Sequence, residues 1–332
     1  MYAVTDMKIT LSALLLVTFS FTSFGQNPPP APPPPAPPAS TAPTVPAPPK
    51  TDMLDHWRRA TISLGQVVQD GLVSRFITQG SGVIVALDAR RGCILTAKHM
   101  LVNPSTGLAT THLWMRFPAL DGEDEQPIEL TLFDPVGRNV WVTSADAGDL
   151  AIIPLPQQVG ARNNLHAVFV SDFANPEQDI FQGATVVVLG YPQIVGESYL
   201  VSPVARNGII AWVDPKQPVD KPFLVDANLY NGNSGGPVFR IRNGMDRYGN
   251  LNLGAGIAFV GIVSEGPLQQ APVVSADGIV YHQNPITGIQ NQEVAIVANV
   301  GGIGIIEPAS RARKLIEDTF AKLPPQPVAP AP

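Results

Sequence analysis

The sequence is poor in the residues on which several classes of protein depend. It has one cysteine, Cys93, among 332 residues, which excludes an internal disulfide framework and a zinc cluster built from cysteines. Charged residues make up only 14% of the chain and the net charge is −6, so no basic surface is available for nucleic acid. We therefore expect no nucleic-acid partner, no metal site and no cofactor.

Proline is abundant, but it is concentrated at the two ends. Residues 28–49 hold 13 of the 35 prolines and residues 324–332 hold 5 more. The body between them, residues 51–323, has the length of one large β domain or two small units. Its many glycines and few charges favour short strands joined by tight turns.

The first 25 residues have the pattern of a secretory signal peptide. Lys8 precedes the apolar run Ile9–Phe24, and the small residues Ser23 and Gly25 stand at the end of this run at the spacing of a signal-peptidase site. We expect cleavage after Gly25 and a secreted or periplasmic, cell-envelope location. The run is short for a membrane span, so no stable span is expected, and an uncleaved anchor is the alternative.

Residues 26–50 are predicted to be a Pro-rich linker in the extended polyproline II conformation. The linker is either a docking or spacing element or a passive tether, and the tail at 324–332 repeats its composition. The true start of translation is open between Met1 and Met7.

The body is predicted to be antiparallel β. A hairpin is expected around Gln69–Gly71, between Val67–Val68 and Leu72–Val73. Further strands are predicted at 82–86, 93–96, 113–117, 140–143, 150–153, 185–189, 208–213, 237–241, 257–263, 294–298 and 303–306. Because no regular helices separate these strands, barrels or sandwiches are favoured over a parallel sheet.

Two helices are predicted at the edges of the body. Asp52 is placed to cap a short turn that ends at Trp57. A second helix at 309–323 is expected to be capped by Ser310 and stopped by Pro324, and its apolar face is suited to docking on the body.

The strongest chemical signal is the run Gly232–Pro237, with Ser234 at its centre. A serine between glycines can expose its hydroxyl on a tight turn where backbone N–H groups converge, as stabilisation of an oxyanion requires. A plain Gly-Asn turn between two strands is the alternative.

A serine nucleophile needs a base, and a base needs an orienting acid. His99 ends an apolar strand, where an imidazole can reach a cleft, and it is preferred over His56, His112, His166 and His282. Asp149 directly precedes another apolar strand and is the preferred acid, with Asp146 as the alternative.

These residues together resemble the trypsin/chymotrypsin-like serine proteases, and most closely their bacterial HtrA/Deg-type branch. The order His, Asp, Ser is the order of that family. The resemblance covers about residues 60–322, and it rests on Thr96–His99, Asp149–Ala151, Gly232–Pro237, Gly82–Val85, Gly190–Pro192, Asp226–Ala227 and Gly302–Ile306.

The resemblance implies an all-β fold of two six-stranded antiparallel β-barrels, chymotrypsin-like, with a C-terminal helix. The first barrel would cover about 60–160 and the second about 165–307. His99, Asp149 and Ser234 would form the triad in the cleft between the barrels. The N–H groups of Gly232 and Ser234 would form the oxyanion hole.

The resemblance also implies where substrate binds. Asn228 would lie at the floor of the specificity pocket, and Ser264 and Gly266 would lie on the wall that pairs with substrate backbone. A neutral floor disfavours basic side chains at the cleaved position, so a trypsin-like preference is not expected.

Three departures from the family limit what it implies. The residues after the body are too few for a PDZ domain, so the regulation and trimer assembly of such relatives are not carried over, and the oligomeric state is unknown. Asn233 replaces the acid that pairs with a new N-terminus in the digestive branch, so that activation route is not expected. Residues 267–293 have the character of an insertion.

The leading hypothesis is a serine endopeptidase that acts on protein or peptide substrates through an acyl-enzyme. The alternative is a catalytically silent form of the same fold that serves as a binding or scaffold module in the envelope.

Overall fold

A computed structural model describes the protein from residue 54 to residue 322. The gaps are at 89, 119–125, 144, 157–158, 160–165, 194–200, 217–219, 253–255, 265–267, 273, 276–277, 280, 284–289, 293 and 299–301. The chain divides into two units, Met1–Lys50 and Thr51–Pro332, and every described residue belongs to the second. The predicted signal peptide, Pro-rich linker and tail lie outside the described residues.

Twenty-one strands are described. The first seven are β1 (Thr61–Asp70), β2 (Val73–Asp88), β3 (Arg91–Ala97), β4 (Trp114–Arg116), β5 (Ile128–Glu129), β6 (Leu150–Pro154) and β7 (Val168–Phe169). The others are β8 (Thr185–Gly190), β9 (Val204–Trp212), β10 (Phe223–Asp226), β11 (Pro237–Ile241), β12 (Gly244–Met245), β13 (Leu251–Asn252), β14 (Ile257–Val263), β15 (Leu268–Pro272), β16 (Val274–Ser275), β17 (Gly278–Ile279), β18 (Tyr281–Gln283), β19 (Gln290–Gln292), β20 (Val294–Ala298) and β21 (Ile303–Pro308).

The first β unit is a seven-stranded sheet with the order β5-β4-β1-β2-β3-β6, to which β7 adds in parallel beside β2. It differs from the closed six-stranded barrel implied by the sequence, because no continuous ladder joins its two edge strands in the described residues. Only two isolated antiparallel bridges lie in the described chain between these edge strands, Phe133–Asn139 and Val142–Ile152, and the second reaches β6.

The second β unit is a closed six-stranded barrel with the order β10-β21-β14-β11-β8-β9, and every pairing in it is antiparallel. The predicted insertion contains most of the small ladders that pair β15 with β20, β16 with β17 and β18 with β19. The fold is thus all-β and chymotrypsin-like with a C-terminal helix, as predicted.

The hairpin near residue 70 forms, with its turn shifted from the prediction. Asp70 pairs with Val73, so Gly71 and Leu72 make the turn, and Gln69 and Asp70 belong to β1. Gly71 takes a φ of 62°, which glycine adopts without strain.

The described residues give the α-helices α1 (Asp55–Ala60), α2 (Pro176–Asp179) and α3 (Ala309–Ala321). Short 3₁₀ helices lie at Lys98–Met100, Ala145–Ala147 and Val170–Asp172. The prediction that Ser310 caps the last helix was wrong. Pro308 is the N-cap residue in an extended conformation, and α3 begins at Ala309. The proposed cap Asp52 lies outside the described residues.

One apolar cluster joins the two β units to α3. Val85 and Leu95 of the first sheet pack in the same buried cluster as Phe239 and Phe259 of the barrel and Ile316 of α3. Burying a large apolar side chain contributes about 2 kcal/mol, so this shared core fixes the sheet, the barrel and the helix against one another.

No helix in the described part of the chain combines the length and the apolar character needed to cross a membrane.

Candidate active site

The pairing of β3 with β6 brings His99 and Asp149 together. Ala97 at the end of β3 faces Leu150 at the start of β6, so the residues beyond these two ends are neighbours. The short 3₁₀ turn Lys98–Met100 carries His99, and the N–H of Lys98 donates to the carbonyl of Asp149 at 3.0 Å. Residues 50 positions apart in sequence therefore meet at one edge of the sheet.

The carboxylate of Asp149 holds His99 at two points. Oδ1 accepts the backbone N–H of His99 at 2.9 Å, and Oδ2 lies 2.7 Å from Nδ1 of the ring. Since an ionised carboxylate only accepts hydrogen bonds, Nδ1 is the protonated ring nitrogen and Nε2 is the nitrogen that carries the lone pair.

Asp149 is ionised despite its burial. Burial raises its pKa, but hydrogen bonds from His99 and Ser264 and the positive charge that His99 can carry outweigh it, and the pKa lies below its ordinary value. The hydroxyl of Ser264 donates to Oδ2 at 2.7 Å.

The alternative acid and those alternative bases whose side chains are described make their contacts elsewhere in the fold. Asp146 is exposed and lies 3.8 Å from Lys314. His56 contacts His166 at the surface, and His112 pairs with Glu129. The side chain of His282 lies outside the described residues.

The turn that carries Ser234 packs against the strand that leads to His99. The N–H of Ser81 in β2 donates to the carbonyl of Ser234 at 2.7 Å. A Cβ on Gly235 would lie 2.3 Å from Oγ1 of Thr96 and 2.1 Å from the carbonyl oxygen of Ser81. Only glycine permits this approach, so the barrel delivers Ser234 to the end of β3.

The peptide groups around Ser234 are oriented by hydrogen bonds within the fold. The carbonyl of Asn231 accepts the N–H of Gln193 at 2.8 Å, and the carbonyl of Asn233 accepts the N–H of Gly236 at 2.8 Å. In a trans peptide the N–H points opposite to the carbonyl.

The N–H groups of the next residues, Gly232 and Ser234, therefore point away from those internal partners. Within the described part of the chain neither donates to a protein oxygen. The carbonyl of Gly232 is in turn held by the hydroxyl of Ser81 at 2.7 Å. Two oriented N–H groups are thus available beside the Ser234 hydroxyl.

Of the predicted substrate-binding residues, two can be placed. Asn228 takes a left-handed φ of 50°, and its carbonyl accepts Nη1 of Arg206 at 2.9 Å. The hydroxyl of Ser264 donates to the carboxylate of Asp149, and the backbone N–H of Ser264 donates to the carbonyl of Ile305 at 2.9 Å. Gly266 lies outside the described residues.

Two contacts of Asp149 were missed in the sequence. Ser264 was assigned to substrate backbone alone, and no local signal links it to the acid. Glu307 accepts the N–H of Asp149 through Oε1 at 3.0 Å. The one feature of the sequence that could have drawn attention to Glu307 is its position, as a single acidic residue directly after the apolar run 303–306.

In the described residues no group of three or more histidine, cysteine, aspartate or glutamate side chains could hold a metal ion. Cys93 is buried in β3, and burial raises the pKa of its thiol far above the ordinary value, so the thiol stays protonated and inert.

The sequence matches the family of trypsin-like peptidase domains over residues 80–245, half of the chain. The chain belongs to this family and is, in general terms, a serine protease by fold and domain. Among solved structures it is similar to Rv3671c from M. tuberculosis H37Rv, crystallised in an inactive form with a serine changed to alanine. The identity is 17%, the TM-score is 0.40, and the match covers 83% of this chain and 93% of that one. No curated protein matches the chain.

Proposed function

We propose that the protein is a serine endopeptidase in which Ser234 is the nucleophile, His99 the general base and Asp149 the acid that orients the base. The observation that carries this proposal is the double hold of Asp149 on His99, at 2.9 Å to the backbone and 2.7 Å to Nδ1. This hold fixes the tautomer and the ring direction that a serine protease requires.

In the acylation step, Oγ of Ser234 attacks the carbonyl carbon of the scissile peptide bond while Nε2 of His99 takes the hydroxyl proton. The carbonyl oxygen becomes an oxyanion, which the N–H groups of Gly232 and Ser234 stabilise. The imidazolium is stabilised by Asp149, and it then gives its proton to the leaving amine as the peptide bond breaks.

In the deacylation step, water replaces the leaving peptide. His99 takes a proton from the water, the resulting hydroxide attacks the acyl-enzyme, and the ester bond to Ser234 breaks. The proton returns to Oγ, and a free carboxylic acid is released. Protein or peptide substrates follow from this chemistry, and the reaction needs no cofactor.

The surroundings of Asn228 support a preference against basic side chains at the cleaved position. Asn228 carries no charge to pair with a lysine or arginine. The guanidinium of Arg206 contacts the Asn228 carbonyl at 2.9 Å and lies over the ring of Tyr230 at 4.8 Å, so a cation already occupies this neighbourhood. A second cation nearby would be repelled.

We also propose that the protein is secreted or periplasmic. The support is the run Ile9–Phe24 after Lys8, with small residues at the expected cleavage site. A protease outside the cytoplasm would meet its protein substrates in the envelope or the medium.

Steady-state hydrolysis of peptides with Ser234→Ala tests the assignment. The variant should keep the fold and lose turnover by about 10⁶-fold, the loss seen when a triad serine is removed in a comparable enzyme. Ser105→Ala, at an exposed serine outside the proposed triad, is the matched control and should keep full activity.

Equal turnover by Ser234→Ala and the parent would remove the nucleophile assignment. A parent without turnover on any peptide would favour the catalytically silent binding module.

A further inference from the structure

The last strand of the barrel ends in a buried carboxylate beside the candidate active site. Glu307 lies in β21, opposite Ile262 of β14, one residue before the N-cap Pro308 of α3. It is only 4% exposed. A carboxylate in such a place is costly unless each oxygen has a hydrogen-bond partner.

Both oxygens of Glu307 have a partner, and the two partners differ in kind. Oε2 accepts Nη1 of Arg311, one turn into α3, at 2.9 Å. Oε1 accepts the backbone N–H of Asp149 at 3.0 Å. Arg311 alone would balance the charge, so the second contact ties the C-terminal segment to the acid of the triad.

The loop before Asp149 is shaped around this carboxylate. Gly148 takes a φ of 65°, and a Cβ at this residue would lie 2.3 Å from Oε1 of Glu307 and 2.7 Å from Nη1 of Arg311. The side chain of Glu307 therefore occupies the space where any other residue at 148 would place its first carbon.

Asp149 is consequently held on every polar group. Its carbonyl accepts from Lys98, its carboxylate accepts from His99 and Ser264, and its N–H donates to Glu307. Of these contacts, Ser264 and Glu307 come from the second β unit, while Asp149 itself belongs to the first.

We propose that Glu307, held by Arg311, is a positioning residue that sets the place of Asp149 and through it the orientation of His99. The inference rests on the proposed function, because it takes Asp149 to be the acid of a working triad. The C-terminal segment, outside the matched range 80–245, then forms part of the catalytic apparatus.

The test compares Glu307→Ala with Glu307→Gln. Loss of the carboxylate should lower kcat by about 10- to 100-fold, the usual cost of misplacing a catalytic group through its support, with KM nearly unchanged. Glutamine keeps an oxygen for the Asp149 N–H, but its NH2 then faces Nη1 of Arg311 as donor against donor, so kcat should recover only in part, to a value between those of Glu307→Ala and the parent.

Glu317→Gln is the matched control, because it removes the same charge from an exposed place on α3. Glu317 is 51% exposed in its side chain and lies 3.9 Å from Arg313. It should leave kcat, KM and unfolding by urea unchanged.

A second variant guards against unfolding of Glu307→Ala. Gly148→Ala keeps both charged side chains, but its Cβ would collide with Oε1 of Glu307 and Nη1 of Arg311. The loop and the ion pair must then move apart, so this variant should produce the same selective loss of kcat. Urea unfolding of each variant separates loss of fold from loss of position.

A second readout is independent of turnover. The proton between Nδ1 of His99 and Asp149 should give a low-field proton NMR resonance in the parent. This resonance should move or disappear in Glu307→Ala and Gly148→Ala, and it should persist in Glu307→Gln and Glu317→Gln.

Unchanged kcat and an unchanged resonance in folded Glu307→Ala and Gly148→Ala would overturn the inference. If the parent shows no turnover and Ser234 does not react with an active-site probe, the proposed function fails. The resonance still decides in that case whether Glu307 positions Asp149.

Discussion

At the scale of single residues, Asp149 connects the acid–base chemistry of the site to the stability of the fold. Its pKa in the folded protein lies below that of an exposed aspartate, since the donors His99 and Ser264 outweigh the effect of burial. A group whose pKa is lowered by folding stabilises the fold above its unfolded pKa and loses that contribution as it is protonated.

Asp149→Asn should therefore change the pH dependence of stability. The parent should hold an advantage in unfolding free energy above about pH 3.9, the unfolded pKa of aspartate, and lose it as pH falls through the lower folded pKa. Urea unfolding of both proteins between about pH 5 and pH 2 measures it. A difference that stays constant over this range would contradict the hydrogen-bond network at Asp149.

The residues predicted from the sequence differ in how well local pattern marks them. Local pattern marks three of them. Glycines flank Ser234 as a tight turn requires, His99 ends an apolar strand, and Asp149 directly precedes another one. Ser264 and Glu307 contact Asp149 across 115 and 158 positions of sequence. An acidic residue directly after the apolar run 303–306 was the one local sign of Glu307, and no residue near Ser264 indicates its contact with Asp149, so sequence reasoning missed both contacts.

At the scale of elements, the turn Gly232–Gly236 depends on glycines for two separate reasons. Gly232 has a φ of 91°, and a Cβ there would lie 2.3 Å from the carbonyl oxygen of Tyr191. Gly183 has nearly the same φ, 89°, but a Cβ there would meet nothing within 4 Å. An alanine at Gly183 would suffer backbone strain alone, whereas an alanine at Gly232 would suffer the same strain and a steric collision.

Gly232→Ala should lose both stability and activity, because the turn must move away from Tyr191 and the N–H of residue 232 moves with it. Gly183→Ala should cost only the strain of a left-handed backbone, about 1 kcal/mol, and keep full peptide hydrolysis. Thermal unfolding and steady-state kinetics of both variants measure this. Equal activity in the two variants would count against a rigid turn around Ser234.

Strands were predicted well where an apolar run is long and poorly where pairing is sparse. The predicted strands at 150–153, 185–189, 237–241 and 257–263 fall within β6, β8, β11 and β14. The predicted strand at 140–143 is reduced to a single bridge between Val142 and Ile152. A strand forms only where a partner strand pairs with it, and that partner can be distant in sequence. Apolar composition alone therefore does not determine which runs become strands.

At the scale of the whole molecule, the shared apolar core and the contacts of Asp149 join the two β units and α3 into one structural unit. The all-β character was predictable from the spacing of turns and apolar runs, and the division into two β units was predictable only from the resemblance to the trypsin-like serine proteases. The open edge of the first sheet was not, because barrel closure depends on strand register and not on composition.

The N-terminal part of the chain carries a separate prediction about processing. N-terminal sequencing of the mature protein recovered from its host should begin at Gln26, because cleavage is expected after Gly25. The predicted linker should remain attached, since no further processing is expected. A mature chain that still begins at Met1 or Met7 would favour the uncleaved anchor.

The central claim is that Ser234 is an activated nucleophile, and reaction with a fluorophosphonate probe tests it most directly. The account predicts that the intact protein is labelled at Ser234, as located by mass spectrometry. Ser234→Ala should not be labelled, and His99→Ala should be labelled far more slowly because the base is missing. Absence of labelling in the folded parent, or equal labelling of the parent and Ser234→Ala, would contradict the account.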